Sequence, residues 1–209
     1  MANKGGPKGK YTIHSAHEIL PSPQRWMGFV SIDPGCSNFA IRIVRRKHGG
    51  SRVKLLGMSK HIIDYKRQKS GLGSVSSYVF NIIKVLELYT EFYPKCRIVL
   101  IEDQMYVNGA MSGLKENIIN YFLYCWPELC VVTISSLLKT SIINTKGLSK
   151  TEKQHAEVVR AFERCEEIND DLSLDILLKY NLSKEPTDKV HDLCVTINQL
   201  DGFCQQMGY

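Results

Sequence analysis

The stretch "GFVSIDPGCSNFAIRIV", residues 28–44, decides the fold. An apolar run ends in a carboxylate, Asp33. Pro34 and Gly35 follow at once, and a second apolar run opens at Phe39. Residues 27–32 are apolar enough for a buried strand, and "FAIRIVRR", 39–46, alternates as a half-buried strand does. "KHGGSR" supplies paired turn glycines and "VKLLGMS" a third strand. The stretch therefore predicts an antiparallel meander with an acid at the end of its first strand.

Outward from the meander, "SVSSYVFNIIKVLELYTEFY" (74–93) has the apolar spacing of an amphipathic helix, with Pro94 to end it. "RIVLIED" (97–103) is a continuous apolar strand closing in two acids. A helix over about 111–125, the strand "LCVVTIS" and a helix over 149–165 follow. Ser149 and Glu152 give that last helix a capping-box start. Residues 166–186 are polar and irregular, with a short helix at "LSLDILLKY", and a final helix runs from about 188 to 204. The order predicts an α/β fold: a mixed five-stranded sheet, three antiparallel strands then parallel ones, flanked by helices.

The 209 residues suit one domain, here 25–209, behind a basic, Gly-rich and disordered N-terminal arm, 1–24, opening "MANKGGPKGKY". The arm has no apolar stretch of a secretory signal, and no run of eighteen apolar residues predicts a membrane span. A net charge of +6 is compatible with a nucleic-acid partner, as with any basic soluble protein. Seven scattered cysteines without a C-x-x-C pair argue against a zinc knuckle and for a reducing intracellular compartment.

Two strands end in acids, Asp33 and Glu102. Each alone would pass as a strand or turn cap. If the first and fourth strands are parallel neighbours, however, both acids meet at one sheet edge, where α/β sites form. Their mutual repulsion calls for a divalent cation, and oxygen ligands favour Mg²⁺ or Mn²⁺ over Zn²⁺. The last helix reads as two stripes. Leu193, Ile197, Leu200 and Cys204 form a core face. Asp188, Asp192, Val195 and Gln199 lie on the opposite side, with His191 between. Asp188 also fits as a first-turn acid favoured by the helix dipole. Lys146, Lys150 and Lys153 precede or open a helix against its dipole, which an anion bound there would offset. The clusters at Arg45–Arg46 and Lys66–Arg67 are further candidates for phosphate contacts.

"IDPGCSNFAI", "IEDQ", the lysine-bearing helix and the acidic last helix together resemble the RuvC-type Holliday junction resolvases of the RNase H-like superfamily. The resemblance is to the type found in poxviruses and other large cytoplasmic DNA viruses, and spans residues 27–204. It implies an RNase H-like fold and a Mg²⁺-dependent (Mn²⁺ possible) endonuclease that resolves four-way DNA junctions in recombination or repair. It also implies a homodimer in the cytoplasm, in a viral factory or virion. Four carboxylates would hold two ions. Asp33, Glu102 and Asp192 match three of them, and Lys153, with Lys150 as the alternative, matches the catalytic lysine. "KVHDLCVT" departs from the family's last helix, because Val195 stands where the final acid belongs and His191 where another acid precedes Asp192. Either Asp188 supplies the missing metal ligand, or His191 acts, or the chain is a nuclease fold retained as a binding or assembly subunit. An RNA–DNA hybrid nuclease of the same superfamily is a further alternative.

Overall fold

The computed structural model describes residues 11–15, 26–35, 38–47, 52–63, 73–103, 109–136, 138, 142–143, 145–182 and 190–209. The meander is present as β2 (Trp26–Pro34), β3 (Asn38–Lys47) and β4 (Val53–Ile62), paired antiparallel in sequence order. β5 (Ile98–Asp103) lies parallel to β2, and β6 (Cys130–Ser135) parallel to β5. The first and fourth predicted strands are therefore neighbours.

The sheet has six strands rather than five, in the order β1-β6-β5-β2-β3-β4. The extra strand, β1 (Tyr11–Ile13), comes from the stretch read as an arm and pairs antiparallel with β6. Three residues carry too little pattern to stand out from a basic segment. Their partner strand supplies the reason to be extended. Tyr11 also stacks edge-on against Phe203.

Alternation of side chains divides the sheet cleanly. Val30, Ile32, Phe39, Ile41, Ile43, Val99, Ile101 and Val131 face α1 (Gly73–Glu87) and α2 (Gly109–Cys125). The helix predicted to reach residue 93 stops at Glu87, and Tyr93–Lys95 forms a separate 3-10 turn around Pro94, which has no N–H to continue a helix. The opposite sheet face is covered by α3 (Lys150–Glu167), α4 (Asp171–Leu182) and α5 (Val190–Met207). The Ser149–Glu152 capping box is formed in both directions. Among the described residues, no helix is long and apolar enough to cross a membrane. The buried thiols behave as small hydrophobes; burial pushes Cys165 and Cys204 up to about 11.

Two buried ion networks hold the helical layer to the sheet. Arg42, pointing from β3, pairs with Asp170, both side chains 2% exposed. Asp170 Oδ1 also accepts from the Ser173 amide at 3.3 Å, fastening the first turn of α4. Asp201 of α5 gathers Arg46 (3.4 Å), Arg160 (3.7 Å) and Arg164 (2.8 Å). Removing one partner of a buried pair strands the other charge. Asp170→Ala should therefore cost about 3–5 kcal/mol in urea unfolding. The Arg42→Met/Asp170→Leu double variant should recover most of that loss.

Candidate metal and nucleic-acid site

The site starts from the register of β2 on β5. Ser31 lies opposite Leu100 and Ile32 opposite Ile101. One step further the same register brings Asp33 beside Glu102, both on the face covered by α5. Glu102 is 6% exposed, and its neighbour on β6 is Ile134 of the core beneath α5. Beyond Asp33 the chain turns sharply, the Gly35 amide donating to the Asp33 carbonyl at 3.2 Å. A Cβ on Gly35 would sit 2.2 Å from the Asn38 carbonyl oxygen, so only glycine permits this return.

α5 is fixed over the same edge. Ser31 Oγ donates to the Thr196 carbonyl at 2.8 Å. The Gln199 amide donates to Ser31 Oγ at 2.5 Å and to the Ile32 carbonyl at 3.1 Å. The stripe Asp192–Val195–Gln199 is therefore the one laid against β2. Leu193, Ile197, Leu200 and Cys204 lie in the core as expected, and the opposite stripe is covered as well: residues 193–204 are all buried, because α5 runs between the sheet and the other helices. Val195, 1% exposed, is on the sheet-facing stripe and brings an isopropyl group where the resemblance called for an oxygen ligand.

The partner of Asp192 comes from an unexpected strand. Lys60 Nζ of β4 lies 3.3 Å from Asp192 Oδ2, and its side chain is 2% exposed. Asp33, Ala40 and Lys60 form one row across β2, β3 and β4, on one face. Ala40, 0% exposed, is the small residue between the acid and the lysine. His191 extends the cluster. Its Nε2 is 2.7 Å from Glu157 Oε2 and its Nδ1 is 3.8 Å from Asp192 Oδ1. Glu157, buried on α3, lies one turn beyond Lys153. Burial opposes ionisation of Asp192, but His191 and Lys60 outweigh it and hold the carboxyl below its ordinary 3.8.

Of the predicted site residues, the fold therefore brings Asp33 and Glu102 to one edge and places Asp192 on the first turn of the helix that covers this sheet face. Lys146, Lys150 and Lys153 are exposed before and within the first turn of α3. Arg45 is half-buried. Arg46 is turned inward onto Asp201, so its assignment to phosphate contacts is corrected to a structural one. Asp188, Lys66 and Arg67 lie outside the described residues. Lys60 and Glu157 were missed. The only sequence signal for Lys60 is its place two residues after Met58 in an alternating strand, which becomes informative once the register is known.

Neither family models nor curated protein sequences give a match. Solved structures do. The fowlpox virus Holliday junction resolvase aligns over 87% of this chain and 99% of its own, at 18% identity and a TM-score of 0.56. Thermus thermophilus RuvC aligns over 87% and 97%, at 15% identity and a TM-score of 0.54. The chain has the RuvC-like resolvase fold. The fowlpox virus resolvase in complex with substrate Holliday junction DNA also superposes, over 87% and 97% at 17% identity and a TM-score of 0.52. At these identities the fold, RNase H-like with its mixed sheet, is what is shared.

The strand-end acids offer carboxylate oxygens, the donor type an oxygen-seeking divalent cation takes. Asp33 and Glu102 are adjacent hard ligands of the kind such an ion takes. The Asp192 side of the site is filled differently, by a buried ammonium and a valine. Among the described residues, no three His, Cys, Asp or Glu side chains converge as a metal cage.

The Lys60–Asp192 pair sets an electrostatic expectation. A carboxyl held low in the folded chain adds stability above its unfolded pKa, and that stability is lost as pH falls through the folded one. Carbon-detected NMR titration should therefore place Asp192 below 3.8, and Lys60→Met should move its midpoint upward. An unchanged midpoint in the variant would show that the ammonium does not act on it.

Proposed function

We propose that the chain is a divalent-cation-dependent, structure-selective endonuclease that cuts four-way DNA junctions as a homodimer, in recombination or the processing of replication intermediates. One observation supports this reading above the others: Asp33 and Glu102 lie at the ends of neighbouring parallel strands in a RuvC-like fold. Solved structures of that fold include ones with Holliday junction DNA bound. A junction presents two symmetric strands, which a twofold dimer matches.

Asp33 and Glu102 would hold the cation, which when bound supplies Lewis-acid chemistry at the scissile phosphate. Mg²⁺ suits these ligands and Mn²⁺ would replace it. Lys153, exposed one turn before Glu157, would face the phosphate and offset charge that builds up in the transition state. Lys146 and Lys150, with Arg45, Lys66 and Arg67, would contact the backbone, so binding would weaken steeply with salt. We place the protein in a reducing, cytoplasmic compartment, which suits the free, mostly buried cysteines among the described residues.

Val195 and the Lys60 contact favour a second reading, a resolvase fold kept for binding. A labelled mobile junction with Mg²⁺ or Mn²⁺ separates the two. The nuclease reading expects paired symmetric nicks. Asp33→Asn and Glu102→Gln should each slow cleavage by about 10³-fold while leaving junction binding intact, and Lys153→Ala by about 10²-fold. Tight binding without nicks at any metal concentration would favour the binding subunit instead.

A further inference from the structure

We propose that β1 delivers the basic segment before it, residues 1–10, to the carboxylate edge of the sheet, where Lys4, Lys8 and Lys10 contact the phosphate backbone of bound DNA. The inference rests on the DNA-binding part of the reading above and extends it to a further set of contacts. Residues 1–10 themselves lie outside the described residues; β1, which follows them, is placed.

The direction of β1 comes first. β1 runs antiparallel to β6, and β6 runs parallel to β5. The N-terminal end of β1 therefore lies at the C-terminal ends of β5 and β6, the edge at which the strand-end acids stand. Glu102 is opposite Ile134, and Ile134 is opposite Tyr11, so the three share one row. Ile134 and Tyr11 both pack into the core beneath α5. Adjacent strands are about 4.8 Å apart, which puts Tyr11 about 10 Å from Glu102 along the row. Extended chain covers about 3.3 Å per residue, so Lys8, three residues ahead of Tyr11, has the reach to return to Glu102.

The point of departure is fixed by contacts on both sides of β1. Tyr11 stacks edge-on against Phe203 of α5, with ring centroids 6.1 Å apart. Beyond Ile13, the His14 amide donates to the Val131 carbonyl at 2.9 Å, and His14 Nε2 lies 2.9 Å from Thr133 Oγ1. A three-residue strand has little stability of its own, and these contacts set its place and heading.

Charge selects the partner. Residues 1–10 hold three lysines and no acid, so they contribute +3 of the chain's net +6. Met1, Ala2 and Pro7 are their only apolar side chains, which leaves them little to bury in a core. Past the acids in the other direction, cations are already in place. Lys150 and Lys153 are exposed on α3, whose Glu157 connects through His191 and Asp192 to Lys60 of β4. β1 and β4 are the two ends of the sheet. Basic groups thus stand to either side of the acids. Duplex DNA carries one negative charge per about 1.7 Å, so a helix laid across this edge meets both groups.

The salt dependence of junction binding tests this on the full chain, by fluorescence anisotropy with a labelled four-way junction and no added metal. Each phosphate contact contributes about 0.9 to the slope of log affinity against log salt. The Lys4→Ala/Lys8→Ala/Lys10→Ala variant should therefore lower the slope by about 2–3. A charge-matched control, Lys84→Ala/Lys95→Ala/Arg97→Ala, removes three exposed cations, two of them just before β5 at the far end of the sheet, and should leave the slope unchanged. Native chain carrying p-benzoylphenylalanine at position 8 should photocrosslink to nucleotides beside the crossover. An unchanged slope in the first variant, an equal fall in both variants, or crosslinks confined to the outer ends of the junction arms would overturn the proposal. A lowered slope in a chain that never nicks the junction with Mg²⁺ or Mn²⁺ would uphold it and sink the nuclease reading alone. No junction binding by the native chain would sink both.

Discussion

The parallel pairing of β2 with β5 is the constraint on which the rest of the structure depends. Val30, Ile32, Val99 and Ile101 are fully buried, and their alternation fixes which residues face α1 and α2. A slip of one residue would turn every one of these side chains to the wrong face. The same lock fixes the intervening positions, Ser31 and Asp33 on β2, Leu100 and Glu102 on β5. The acids are thus held at one edge by apolar packing that begins several residues behind them.

α5 depends on that register in turn. A helix buried on all sides needs partners for its polar groups. Ser31 supplies them on the sheet side, donating to the Thr196 carbonyl and accepting from Gln199. Further along, Asp201 is matched by three arginines from β3 and α3. These contacts set the rotation of the helix as well as its position. Asp192 and Val195 consequently lie on the β2 side by geometry and cannot be exchanged for residues on another stripe without breaking the Gln199 contacts.

The sequence made the meander, the parallel strands, the α3 capping box and the two strand-end acids legible, because each rests on local periodicity or on a short motif with a physical cause. It did not reveal β1, whose three residues are extended only because β6 is there to pair with. It showed the two stripes of α5 but not that both are buried, since burial of the polar one depends on hydrogen bonds from distant strands. Arg46 looked like part of a basic surface cluster, and only the approach of Asp201, 155 residues away in sequence, turns it inward. Lys60 is the clearest case. Its environment is created by β3 and α5 together, so no window along the chain contains the reason for its burial.

The two ends of the sheet differ in a way that bears on assembly. β1 is so short that it offers a neighbouring chain only a three-residue ladder. β4, at the other end, is ten residues long. Although its Lys60 side chain is 2% exposed, the residue as a whole is half-buried, so what solvent reaches there is main chain. Such an edge invites pairing with another strand. The register shift between Ile43 and Val44 interrupts the regular ladder inside it, and exposed Lys54 places a charge beside the break. Irregular, charged edges of this kind resist continuous strand-to-strand growth. The architecture thereby discourages open-ended sheet extension along β4.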